Sequence, residues 1–191
     1  LAVILDAGMR EMLVEQRDVF YYVTVMNESY AQPSLPADVA DQVIRGCYKY
    51  NSYLFNSHVN NRPDFPGLSG QVTLMGSGAI LTEVIKAAGL LAAEGLNVDV
   101  FSVTSWSELA RDGMAAELLA GVGMAAGVGA GGVGVGGPCS GHLATLLSTT
   151  HGPVIAATDY VRAVPESVRA FVPAGRRYTT LGTDGFGRSE E

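Results

Sequence analysis

Gln71-Val-Thr-Leu-Met-Gly-Ser-Gly-Ala-Ile-Leu-Thr-Glu-Val-Ile-Lys-Ala-Ala-Gly-Leu-Leu-Ala-Ala-Glu-Gly95 reads as a strand, a tight turn and a helix. Gln71 to Met75 is a short apolar and β-branched run, and Gly76-Ser-Gly78 breaks it. From Ala79 to Glu94 the period changes to that of a helix, with Ile80, Leu81, Val84, Ile85, Ala88 and Leu91 on one side. Gly95 is the expected helix stop, and Val98-Asp-Val-Phe-Ser-Val103 is the next strand. Downstream the rhythm repeats: a helix from Trp106 to Leu119, a strand Pro153–Ala157, a helix from about Val161 to Val172, and a strand Tyr178–Leu181. Strands alternating with helices of this length imply parallel β-α-β units, so the fold class is α/β.

Upstream, Leu1, Ile4, Leu5, Met9, Met12 and Leu13 form an apolar stripe on a helix. That helix opens at the first residue without a capping side chain, and upstream sequence is therefore expected. Val19 to Val25 is predicted to be a strand from its β-branched and aromatic content, with a Pro-bearing exit through Pro33 and Pro36. A short helical piece is expected around Asp38 to Arg45. Residues 37–69 otherwise read as irregular, rich in Asn, Ser, Pro and Gly, and hold the expected domain boundary.

Composition narrows the function. Of 191 residues 48% are hydrophobic and 16% charged, as in a globular domain. A net charge of −7, with scattered basic residues, lacks the footprint of a nucleic-acid binder. Cys47 and Cys139 are too few for a disulfide framework and fit a reduced, cytoplasmic setting. Leu118 to Val135 carries no polar side chain and is long enough for a membrane span. Glycine adds little apolar area and weakens a helix, so this Gly-rich stretch is read as a flexible loop instead.

No residue constellation singles out an active site. Gly76-Ser77-Gly78 stands where a dinucleotide loop would stand, with Asp99 in the next strand as the acidic partner. Leu81, however, occupies the place of the third glycine. Glycines directly beside Ser77 do not make a nucleophile elbow. Cys139 and His142 are spaced like half a metal site without a second pair nearby. His58 and His151 lie in loop-like sequence, and nothing marks a nucleophilic pairing of Cys47 with a histidine. Glu28 follows a predicted strand end, and Asp184-Gly185 pivots a turn in Thr183–Arg188. No catalytic, cofactor-binding or metal-ligating residue is assigned.

Several blocks in order resemble one family. They are Ala2-Val-Ile…Gly8, Val19-Phe-Tyr-Tyr-Val-Thr…Met26-Asn-Glu-Ser-Tyr30…Pro33…Pro36, Arg45-Gly…Tyr48 and Leu74-Met-Gly-Ser-Gly78. Val100-Phe-Ser-Val-Thr-Ser105 with Glu108-Leu-Ala-Arg-Asp-Gly113, Ala157-Thr-Asp-Tyr160 and Leu181-Gly-Thr-Asp-Gly-Phe-Gly-Arg-Ser189 follow. This pattern resembles the homodimeric, thiamine-diphosphate-dependent E1 component of pyruvate dehydrogenase, a transketolase-like enzyme, in its C-terminal portion. The resemblance implies a pyrimidine-binding-domain tail at 1–45, a linker at 46–69 and a transketolase C-terminal-like domain at 70–191, with a Gly-rich insert at 118–151. For the full-length family it implies thiamine diphosphate and magnesium, oxidative decarboxylation of pyruvate on the route from glycolysis to acetyl-CoA, and acetyl transfer to a lipoyl group. The implied partners are a second E1 subunit and the E2 acetyltransferase. The catalytic half lies outside this chain, so neither cofactor is expected to bind it alone, and its role would be dimerisation and support. A free-standing α/β interaction or regulatory module is the alternative. The family carries a polar segment with Arg and Pro where this chain has 118–151, and the Gly-Ala-Val run there reads like GC-rich coding out of frame.

Overall fold

The computed structural model describes residues 1–25, 31, 33–54, 70–125 and 140–183, the side chains of 122–125 excepted. Five strands form one sheet: β1 (Cys47–Tyr53), β2 (Gln71–Ser77), β3 (Asn97–Val103), β4 (Val154–Val161) and β5 (Tyr178–Thr183). Their order across the sheet is β1-β3-β2-β4-β5. β2 to β5 are parallel, and β1 is antiparallel to β3. The α/β class and the four parallel strands read from the sequence are present.

Helix α3 (Ile80–Ala93) covers one face. Leu81, Val84 and Ala88 pack there on Val72, Leu74, Val98 and Val100. α3 ends in a Schellman motif: Gly95 has φ +93°, and the amides of Gly95 and Leu96 donate to the carbonyls of Ala92 and Leu91. Helices α4 (Trp106–Ala125), α5 (His142–Leu147) and α6 (Ala163–Glu166) lie toward the other face. Their Trp106, Leu109, Leu143 and Leu147 meet Met75, Phe101, Val154 and Ala156. α4 is started by the Ser105 hydroxyl, which accepts from the Glu108 amide at 3.1 Å. At the β1 edge, α1 (Ala2–Met9) and α2 (Ala40–Ile44) bring Val3, Ile4, Val39 and Val43 against Tyr48 and Tyr50.

Four expectations are corrected. Cys47 to Tyr53, read as linker and irregular sequence, is a strand; Thr104 and Ser105 amides bond back to the Gly46 carbonyl and hold it at the edge. Val19 to Val25, read as a strand, forms no strand among the described residues. The helix expected over Val161 to Val172 is the short α6 followed by a 3-10 turn at Arg169–Phe171; Val161 ends β4, and Pro165 has no amide to give the Val161 carbonyl, so the helix starts only at Ala163. The Gly-rich loop is helical at both described ends, since α4 continues to Ala125 and α5 begins at His142. Residues 126–139 lie outside the described residues.

The N-terminal apolar stripe divides. Ile4 packs inward, while Leu5, Met9 and Leu13 are exposed along α1 and the π-helical turn Arg10–Val14 that prolongs it.

Candidate functional site

In an open parallel sheet, ligands sit outside the carboxyl ends of the strands, where the chain order reverses. Here that point lies between β2 and β4, because β2 connects to β3 on one side and β4 lies on the other. The residues there are Ser77, Gly78, Thr158 and Asp159. The Ser77 hydroxyl donates to the Thr158 hydroxyl oxygen at 3.0 Å, and that oxygen also accepts the Tyr160 amide at 3.2 Å. Gly78 sits at φ +58°, which favours glycine, and a Cβ there would lie 3.6 Å from the Asp159 carboxylate. Gly76 is required for a different reason. A Cβ on it would meet Val84 Cγ2 at 3.0 Å and Leu81 Cα at 3.1 Å, so α3 rests directly on the backbone.

This geometry does not make a phosphate cradle. The Asp159 carboxylate stands beside the turn where an anion would bind, and like charges repel. Asp99, the acidic partner read from the sequence, is not at this end. It lies mid-strand, with Lys49 Nζ at 2.7 Å, the Ser52 hydroxyl at 2.7 Å and Gln71 Nε2 at 3.2 Å. Burial raises the Asp99 carboxyl, but these three partners outweigh it and hold it below the ordinary carboxylate range. Among the described residues no group of three or more His, Cys, Asp or Glu could hold a metal ion.

Cys47 and His142 are both buried. Cys47 is fully buried, and burial pushes its thiol up, away from the nucleophilic thiolate. Its backbone carbonyl, not its sulfur, meets a histidine: His142 Nε2–H donates to it at 2.7 Å and ties α5 to β1. Burial pushes the His142 imidazole down despite that carbonyl. The His142 amide bonds the Asp112 carboxylate, which also pairs with Arg45 at 3.5 Å. His151 is exposed, and its carbonyl accepts from Arg176 at 3.1 Å. Glu28, His58, Cys139 and Asp184 lie outside the described residues.

The feature that sequence reading missed is Arg176. Its guanidinium donates to the carbonyls of Gly152, Leu147 and His151 and to the hydroxyls of Thr150 and Thr73, all within 2.8–3.1 Å. It fastens the α5–β4 turn to β2 at the amino ends of the strands. Nothing local marks it, since Thr73 is far away in sequence.

The sheet order, four parallel strands with an antiparallel edge strand, and the β2–β4 switch point define an α/β domain. The family model for the transketolase-like TK C-terminal domain matches residues 63–191, and the chain belongs to that family. It is also similar along its whole length to three proteins named pyruvate dehydrogenase E1 component. Identity is 43% with that of Cupriavidus necator, 40% with that of Pseudomonas aeruginosa and 36% with that of Escherichia coli K12. The chain spans about 19% of the length of each. Among the described residues no helix is long and apolar enough to cross a membrane.

Proposed function

We propose that this chain is the C-terminal portion of a pyruvate dehydrogenase E1 component, supporting the dimer and the catalytic domains without performing chemistry alone. The observation that carries this reading is the alignment of the whole chain with a fifth of each E1 relative. In that setting the complete polypeptide would decarboxylate pyruvate oxidatively and pass an acetyl group to lipoyl-E2, in the cytoplasm. Thiamine diphosphate and magnesium would bind in the other part of the polypeptide. At the crevice of this chain, the Asp159 carboxylate beside Gly78 is consistent with that division, since it would repel a diphosphate. Residues 1–45 would then be the tail of the pyrimidine-binding domain.

Isothermal titration of the chain with thiamine diphosphate and magnesium tests this. The expected result is no heat of binding, and micromolar binding would overturn it. The reading as a free-standing interaction module is separated by an immunoblot of source cells with an antibody to the C-terminal peptide. A band far above 19.9 kDa supports the E1 portion, and a band at 19.9 kDa supports the module.

A further inference from the structure

Among the described residues, His142 makes both hydrogen bonds that tie the amino end of α5 to other elements. Its ring Nε2–H donates to the Cys47 carbonyl of β1 at 2.7 Å, and its amide donates to the Asp112 carboxylate of α4. The donor role of Nε2 follows from its partner, because a carbonyl can only accept. Gly141, the residue before the helix, has no side chain with which to cap it. The ring is 4% exposed, and the next apolar residues of α5, Leu143 and Leu147, share one core cluster with the fully buried Cys47. The far end of α5 is held separately, by Arg176 on the Leu147 carbonyl.

A neutral imidazole suits this place and a charged one does not. The charged groups that act on the ring are Arg45, at the end of α2, and Asp112, on α4. From β1, Cys47 presents its carbonyl and a thiol that burial keeps protonated. Burial and then Arg45 disfavour an imidazolium, whereas the Cys47 carbonyl and Asp112 favour one. The disfavouring pair prevails, because the Asp112 carboxylate is already shared between the His142 amide and Arg45 at 3.5 Å. A seated His142 therefore binds fewer protons than a released one. The seated form keeps its full advantage above the ordinary histidine value of 6.5 and loses it as pH falls below that value. We infer that His142 is an acid-release catch: when its ring takes up a proton, the amino end of α5 lifts from β1 while the parallel sheet stays folded. The ladder from β2 to β5 contains no residue of α5, so the sheet has no main-chain bond to lose.

Thiol labelling with 4,4′-dithiodipyridine tests this in the 191-residue chain carrying Cys139→Ser, which leaves Cys47 as its one cysteine. Rates are read from pH 7.5 to pH 5 relative to glutathione at the same pH, with circular dichroism recorded alongside. Expected is a rise of about 10-fold in the relative rate at unchanged circular dichroism. His142→Gln, whose amide can donate but takes up no proton, should label at a constant relative rate. A constant rate in the parent, an equal rise in His142→Gln, or a rise that coincides with loss of circular dichroism would each overturn the inference. If His142→Gln does not fold, proton–carbon NMR of the parent decides. The His142 ring should titrate below 6.5, and the amides of 142–147 should shift along the same curve. A midpoint at or above 6.5, or amides that stay still while the ring titrates, would overturn it equally.

Discussion

The two halves of α4 share one helix and lead opposite lives. From Trp106 to Gly113 nearly every turn contributes to the core: Trp106 and Leu109 are buried, and Gly113 lies under the ring of Phe171. From Met114 to Gly121 the helix continues with no buried residue, and Met114, Leu118 and Leu119 face solvent. Apolar side chains therefore do not measure burial, since both halves have them. What separates the halves is whether another element arrives opposite, and Phe171 and Gly141 arrive only at the first half.

Leu109→Ala should show the largest effect, a loss of about 2–5 kcal/mol, because the side chain is fully enclosed. Urea unfolding followed by circular dichroism measures it. Gly113→Ala comes next, at about 1–3 kcal/mol, because even a methyl group collides with the Phe171 ring. A loss below the noise of the urea midpoint would mean that the Phe171 turn yields, and the contrast between the halves would weaken.

The third test concerns the clamp that holds this turn. Arg169 donates two hydrogen bonds to Glu166, and Thr180 adds a third, which together lower the Glu166 carboxyl to about 2. A depressed carboxyl stabilises the fold above its ordinary pKa of 4.5 and loses that contribution as pH falls toward about 2. The melting-temperature advantage over Glu166→Gln should therefore be full at pH 6 and vanish near pH 2. Because Glu166 and Arg169 are both partly exposed, salt should shrink it. The smallest effects belong to the second half of α4. Leu118→Ala should stay within about 0.5 kcal/mol of the parent. Gly121→Ala, with nothing within 4 Å of its Cβ, should gain about 0.5–1 kcal/mol of helix stability by the same urea measurement.

The parallel strands and α3 were legible because local signals agreed: an apolar run, a Gly-Ser-Gly turn, a helical period and a glycine stop. β1 was illegible. Lys49, Asn51 and Ser52 spoil the alternation, and the register shifts between Lys49 and Asn51. Val19 to Val25 was legible as sequence, yet strand propensity is chiefly packing against neighbours, and none is described. At the crevice, Gly76 to Gly78 could be located by eye. The partners Thr158 and Asp159 could not, because some eighty residues separate them and only the sheet order unites them. The helical end of α4 was missed because its glycines were weighted above the Ala, Leu and Met around them.

The backbones of Gly113 and Gly141 touch: a Cβ on Gly141 would lie 3.2 Å from the Gly113 Cα. A contact between residues so far apart in sequence closes a loop, and the entropy of closing a loop grows only with the logarithm of its length, about 0.6 kcal/mol for each doubling. The seat of Gly141 on Gly113 is therefore tolerant of how many residues lie between them, whereas a side chain at either glycine is not tolerated.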